Sequence, residues 1–224
     1  MYLDLQIYSG LGNIIAIVDS VRKDISIDSK IVLSLYENKG INFDQLIQIL
    51  PPLSPENDFD VKIYNNDGSL ALNCINGARC VAKYIKDNSL LFSKNYKVNT
   101  DGGLWDLEHI NEDIFSVSFS VKGEINKKTV ELGQKEFSLH CVDIGNLHGV
   151  TFEVSKLKAL FKDINFVELG ENLQKNVYFP DGVNFGAAEK VNEKEINLRV
   201  YERGAGETLA CGSGACAAAV VGIL

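Results

Sequence analysis

Cys74-Ile75-Asn76-Gly77-Ala78-Arg79-Cys80 and Cys211-Gly212-Ser213-Gly214-Ala215-Cys216 share one plan, a cysteine followed by small residues that open a helix-forming stretch. Working outward from them, further segments recur in the same order. Gly12-Asn13 answers Gly145-Asn146, Gly40-Ile41-Asn42-Phe43 answers Gly182-Val183-Asn184-Phe185, and Asn65 answers Glu202. The offsets are 133, 142 and 137, against 137 for the cysteines, so the chain reads as a duplicated half whose loops have drifted. Two facing halves would set two thiols on opposite sides of one ligand. That arrangement suits removal of a proton from one face of a carbon and its return to the other, which inverts a stereocentre.

A chain of 224 residues suffices for two domains of about half that length, and the duplication favours two. The boundary is expected after the polar stretch Asn111-Glu112-Asp113, giving halves at 1–117 and 118–224. With 46 % hydrophobic and 23 % charged residues, the composition is that of a folded globular chain. The net charge of −8 repels nucleic acid and anionic membrane, which leaves a small molecule as the expected partner. Met1-Tyr2-Leu3-Asp4 has neither the basic nor the apolar region of an export signal, and no long apolar run follows, so a cytoplasmic location is expected. Five cysteines, an odd number, argue for reduced thiols over a disulfide framework. Both cysteine pairs are spaced too widely for the usual zinc loops and have no histidine close by, so no metal is expected.

Runs rich in β-branched and aromatic residues predict strands at Leu3 to Tyr8, Ile14 to Val18, Val61 to Tyr64, Phe115 to Val121, Phe137 to Val142, Gly149 to Phe152 and Ile196 to Tyr201. Helices are predicted at Ile31 to Glu37, Gly77 to Lys86, Lys156 to Phe161 and Gly214 to Leu224. The fold class is therefore α/β in content and α+β in arrangement: two pseudo-symmetric domains, each a mixed or antiparallel sheet wrapped around a central helix. Ala217 to Leu224 has no polar face and no stop signal, which predicts a helix buried on all sides, covered by the rest of a longer polypeptide or by another chain.

Cys74 and Cys211 each stand at a helix start, where open N–H groups and a partial positive charge favour a thiolate and can hold a carboxylate. Cys80, Cys141 and Cys216 read as core. No glycine-rich phosphate loop and no lysine suited to a Schiff base is found, so carbon acidification without a cofactor is expected, by fixed dipoles in a dry site. Asn13, Asn146, Asn65 and Asn184 offer neutral donors and acceptors for an ammonium and a carboxylate, although each could equally serve a turn.

The stretch Glu202 to Cys216 resembles the second signature of the diaminopimelate epimerases almost residue for residue. Asn66-Asp67-Gly68-Ser69 with Cys74 to Cys80 resembles the first. Gly10 to Asn13, Gly40 to Gln45, Gly145-Asn146 with His148, and Val183 to Phe185 extend the likeness along the chain. The resemblance implies a cofactor-independent, two-base interconversion of L,L- and meso-diaminopimelate for lysine and cell-wall synthesis. Cys74 and Cys211 would be its acid/base pair. It further implies substrate contacts at Asn13, Gln45, Asn65, Ile75, Asn76, Asn146, Asn184, Glu202, Arg203, Gly212 and Ser213, with Arg203 gripping the distal carboxylate and Glu202 the distal ammonium. A homodimer is implied as well. The sequence departs from the family at Ile14, where Asp is usual, at Ile75, where Gly is usual, and at Leu147, where Pro is usual. The strands that follow the second signature in the family are also expected to be missing. Two alternatives stay open: a racemase of another amino acid on the same fold, and an inactive remnant that only binds ligand.

Overall fold

The structure is a computed structural model that describes residues 3–38, 41–120, 122–160, 162 and 165–224. Gly40, Val121 and Phe161, which belong to segments named above, lie outside the described residues. The chain divides into two compact units, Met1–Ser120 and Val121–Leu224.

In the first unit, β1 (Gln6–Gly10) and β2 (Asn13–Asp19) form an antiparallel hairpin. Its two-residue turn needs positive φ at Leu11 (56°) and Gly12 (87°). A crossover carries α1 (Ser29–Leu33), capped by the Asp28 carboxylate on the Ile31 amide at 2.8 Å, and a π-helical turn at Ser34–Asn38. β3 (Gln45–Leu50) then runs parallel to β2 and antiparallel to β4 (Phe59–Asn65), on which the short β5 (Leu70–Ala71) folds back. The helix α2 (Ile75–Asp87) follows, then β6 (Asn95–Thr100), β7 (Gly103–Asn111) and β8 (Ile114–Ser118), giving the sheet order β1-β2-β3-β4-β6-β7-β8. Strand alternation assigns the two faces. Ile15, Ile17, Ile47, Ile49, Val61 and Ile63 share a core with Ala78, Val81, Ala82 and Ile85 of α2 and with Val98, Trp105 and Leu107, so the sheet curls around the helix. Ala16, Val18, Leu46 and Tyr64 face Ile27, Val32, Leu35 and Phe43.

The second unit repeats this plan. β9 (Lys122–Leu132) and β10 (Lys135–Asp143) are antiparallel, β10 pairs antiparallel with β11 (Leu147–Thr151), and β11 runs parallel to β12 (Asn184–Asn192). β12 pairs antiparallel with β13 (Glu195–Glu202), β14 (Gly206–Thr208) folds back on β13, and α5 (Gly212–Ile223) follows and packs against β10 to β13. The crossover holds α3 (Val154–Leu160) and α4 (Phe166–Gln174), whose Leu157, Leu169 and Leu173 cover Leu139, Phe185 and Ala187. Both units are thus mixed sheets curled about few helices, as the sequence leads one to expect.

Several elements differ from the sequence reading. α2 and α5 begin directly after their cysteines, two residues before the predicted starts, and the first strand begins at Gln6, not Leu3. β3, β6, β7, β9, β12 and α4 escape it because polar residues interrupt their apolar pattern. Within this chain α5 is covered on one face. Ser213, Gly214, Ala217, Ala218 and Val221 are buried, whereas Ala215, Ala219, Gly222 and Ile223 are exposed. Among the described residues, no helix is long and apolar enough to cross a membrane.

Candidate active site

In each unit the cysteine is the N-cap of the helix it opens. Cys74 Sγ accepts the Gly77 amide at 3.2 Å and its carbonyl accepts the Ala78 amide at 2.9 Å. Cys211 Sγ accepts the Gly214 amide at 3.3 Å and its carbonyl accepts the Ala215 amide at 2.9 Å. The amides of Ile75 and Asn76, and of Gly212 and Ser213, belong to first-turn positions that have no intrahelical acceptor, so each helix start offers two donors beside its sulfur.

Glycine makes this geometry possible. A Cβ on Gly77 would stand 2.4 Å from Ile47 Cδ1 and 3.1 Å from Cys74 Sγ, and one on Gly214 would stand 2.9 Å from Val200 Cγ2. The segment leading into Cys74 is held by β6 and β7: Trp105 Nε1 donates to Asn73 Oδ1 at 2.8 Å, and Thr100 Oγ1 donates to the Leu72 carbonyl at 3.2 Å.

The strand registers show which residues correspond in the two copies. Gln45 pairs with Ile15 and with Asn65, and Asn184 pairs with His148, one step from the Phe185 to Tyr201 pair. Gln45 therefore corresponds to Asn184, Ile15 to His148 and Asn13 to Asn146. The sequence likeness that sets Asn42 against Asn184 is three residues out of register, because the crossovers before β3 and β12 differ in length.

With two copies of one scaffold established, each carrying a cysteine-capped helix, the family profile of diaminopimelate epimerase matches residues 5–122 and 140–224. The chain belongs to the diaminopimelate epimerase family. Its fold is also similar to a hydroxyproline epimerase from Agrobacterium vitis with bound trans-4-hydroxy-L-proline, at 12 % identity over 95 % of this chain and 74 % of that one (TM-score 0.67). A probable proline racemase from Agrobacterium radiobacter K84 with bound carbonate is similar at 14 % identity over 92 % and 72 % (TM-score 0.64). A phenazine biosynthesis protein of Bacillus anthracis is similar at 14 % identity over 94 % and 74 % (TM-score 0.58).

The remaining residues of this diaminopimelate epimerase family member fall into two groups. Around Cys74, Asn13 Nδ2 lies 3.9 Å from the sulfur, Gln45 Nε2 donates to Asn65 Oδ1 at 2.9 Å, and Asn65 Nδ2 donates to Ser69 Oγ at 3.0 Å. Asn13 Oδ1 and Gln45 Oε1 are buried acceptors without a donor. A buried acceptor without a donor, such as Asn13 Oδ1 on the side chain beside the thiol, suits an ammonium group. Asn76 accepts from Arg79 Nη2 at 2.6 Å. Ile75 is 7 % exposed, which puts its branched side chain inside unit one. The amide of Ile14 is capped by the Asp44 carboxylate at 2.7 Å, so a neighbouring loop supplies an acid beside the position where the family usually carries one.

Around Cys211, Glu202 is half-buried and its Oε1 accepts from Thr208 Oγ1 at 2.5 Å. Arg203 is exposed; its amide donates to Asn184 Oδ1 at 3.0 Å and its Nη1 to the Asp181 carbonyl at 2.7 Å. Asn184 is buried and also donates to the Leu147 carbonyl at 3.1 Å, so both ends of its amide are used inside unit two. Asn146 Oδ1 lies 3.2 Å from His148 Nε2, which lies 3.0 Å from Ser213 Oγ, itself 3.4 Å from Cys211 Sγ. The sequence reading names Ser213 only as a substrate contact and gives the His148 ring no role. The available signal is that His148 falls at a core position, which Ile15 fills in the first copy.

The helix start does not win at Cys211. Burial, helped by the charge of Glu202, pushes its thiol up to about 12, against the pull of the Ser213 hydroxyl and the Gly214 amide. The expectation that the helix start favours a thiolate is corrected at Cys211, because losing water costs a thiolate more than one helix turn returns. Burial likewise raises Cys80, to about 11, and Cys141, and both cysteines lie in apolar cores. Among the described residues no group of three or more His, Cys, Asp or Glu is placed to hold a metal ion.

Proposed function

We propose that the protein is a cofactor-independent epimerase that interconverts L,L- and meso-diaminopimelate, with Cys74 and Cys211 as its two bases. The observation that carries this reading is the pair of cysteines, each capping a helix within a duplicated frame and each next to two open amides. One cysteine enters as thiolate and the other as thiol; the buried Cys211, which keeps its proton, suits the acid, and in that direction Cys74 is the base. Cys74 removes the α-hydrogen, the negative charge spreads into the carboxylate held by the helix-start amides, and Cys211 delivers its proton to the opposite face. The products are the inverted α-carbon, a Cys74 thiol and a Cys211 thiolate. Asn13 and Gln45 take the reacting ammonium through their donor-free oxygens, while Glu202 and Arg203 hold the distal amino-acid head.

The reading is tested by incubation with L,L-diaminopimelate in heavy water under reducing conditions. Deuterium should appear at the α-carbon together with the meso isomer, and Cys74→Ala or Cys211→Ala should lower turnover by at least about a thousandfold. Folded protein that exchanges no deuterium would overturn the reading. A second reading, a racemase of a smaller amino acid, is favoured by the fold likeness to the hydroxyproline epimerase. Under it, Arg203→Ala would leave turnover of the preferred substrate intact; the diaminopimelate reading expects KM to rise.

A further inference from the structure

Asn73, the residue before Cys74, is tied to β7. Leu70 and Leu72, its neighbours in the stretch that leads from β5, are both exposed, so apolar burial does little to hold this stretch in place. Polar contacts and close backbone packing hold it instead. Thr100 is buried, and its Oγ1 lies 3.2 Å from the Leu72 carbonyl. A Cβ on Gly102 would stand 2.4 Å from the Leu72 oxygen, so the turn between β6 and β7 rests directly on this backbone. One residue on, Asn73 Oδ1 accepts the indole Nε1–H of Trp105 at 2.8 Å. Trp105 is the chain's only tryptophan; it is fully buried, in the core that also holds Ala78, Val81 and Ala82 of α2. A buried indole N–H needs an acceptor, and a hydrocarbon core supplies none, so the ring favours the one pose that meets Asn73. One side chain thereby joins the body of α2 to the residue that precedes its cap. Cys74 itself is extended, at φ −152° and ψ 98°, and an N-cap residue is only half inside its helix, so its placement depends on what fixes the residue before it. In the second copy Ala210 stands in the place of Asn73 and has no side-chain acceptor to offer.

We propose that Trp105 is a positioning residue: through Asn73, its indole N–H fixes the peptide that leads into Cys74, and so sets where the sulfur and the open amides at the start of α2 stand against the reacting carbon. A small displacement at this point matters because proton transfer depends on the placement of the base far more steeply than binding does. The inference rests on reading Cys74 as an acid/base group, but its first test needs no substrate.

A chain with one tryptophan gives one indole N–H resonance, and this signal reads the contact directly. Its proton should exchange slowly with heavy water in the parent, and Asn73→Ala should speed that exchange at least about fivefold. Alkylation of Cys74 by iodoacetamide, located by peptide mass, should shift the resonance in the parent. The same treatment of Cys74→Ser should leave it in place, and the shift should be lost in Asn73→Ala. In turnover of L,L-diaminopimelate, Asn73→Ala should lower kcat roughly ten- to a hundredfold with KM within about threefold, since a displaced sulfur impairs proton transfer and leaves the distal grip of unit two intact. Trp105→Phe, which keeps an aromatic ring and removes the N–H, should do the same, and the two changes together should lose no more than either alone, because one acts through the other. A resonance indifferent to Cys74 alkylation or to Asn73→Ala, an unchanged kcat in folded Asn73→Ala, or losses that add in the double variant would overturn the proposal. Should Trp105→Phe fail to fold, Asn73→Ala and the parent's resonance decide. A parent whose resonance behaves as stated yet exchanges no α-hydrogen would sink the epimerase reading alone.

Discussion

Cys211 holds its proton well past the point where a free thiol releases one, and this has a consequence for stability. Between the unfolded value of about 8.5 and the folded value of about 12, the native chain binds a proton that the unfolded chain has lost. The thiol's contribution is therefore complete below that window and declines as pH rises through it. Urea unfolding should show the parent losing about 2 kcal/mol more than Cys211→Ser between pH 8 and pH 10. His148 works in the other direction. Its folded pKa, about 4, lies below its ordinary 6.5, so its contribution is present above 6.5 and is lost as pH falls toward 4. His148→Ile should remove roughly 3 kcal/mol of acid sensitivity across that window, measured by unfolding at pH 7 and pH 4.5. The cysteine's place at the helix start is legible in the sequence, from the small residues that follow it. Its protonation is not, because burial and Glu202 reach it only through the fold.

Helices α2 and α5 are copies at the level of their caps and differ in their cover. Ala78, Ala82 and Ile85 of α2 are 0 % exposed, shielded by the curl of β6 to β8, whereas Ala215, Ala219 and Gly222, which stand at the same distances from their cysteine, are exposed. One substitution made in each copy measures the difference. Ala82→Lys forces a charge into the core and should cost at least about 3 kcal/mol, while Ala219→Lys should change stability by no more than about 0.5 kcal/mol. Equal costs would show that a further segment or a second chain covers α5, as the apolar run from Ala217 onward leads one to expect. At Gly170 of α4 a Cβ would fall 2.3 Å from the Tyr201 ring, so Gly170→Ala should destabilise unit two by about 1 to 3 kcal/mol in thermal unfolding. That helix escapes the sequence reading because Gly170 and the polar residues around it blur its apolar face.

At the scale of the molecule, the duplication was the most legible feature, since it needs only repeated residues at steady offsets. The order of strands, the parallel crossover and the fold-back before each helix recur in both units. The pairing of individual residues was less legible. Gly-x-Asn-Phe recurs in sequence, yet the register sets Gln45, and not Asn42, against Asn184, because crossovers of unequal length shift every residue inside them. The account as a whole requires that the two capping sulfurs serve one α-carbon. A short bifunctional thiol reagent such as dibromobimane, applied to the reduced protein and mapped by peptide mass, tests this. The account predicts one bridge joining Cys74 to Cys211, blocked by prior addition of diaminopimelate; bridges that join other cysteines, or a Cys74 and Cys211 that are each modified singly, would contradict it.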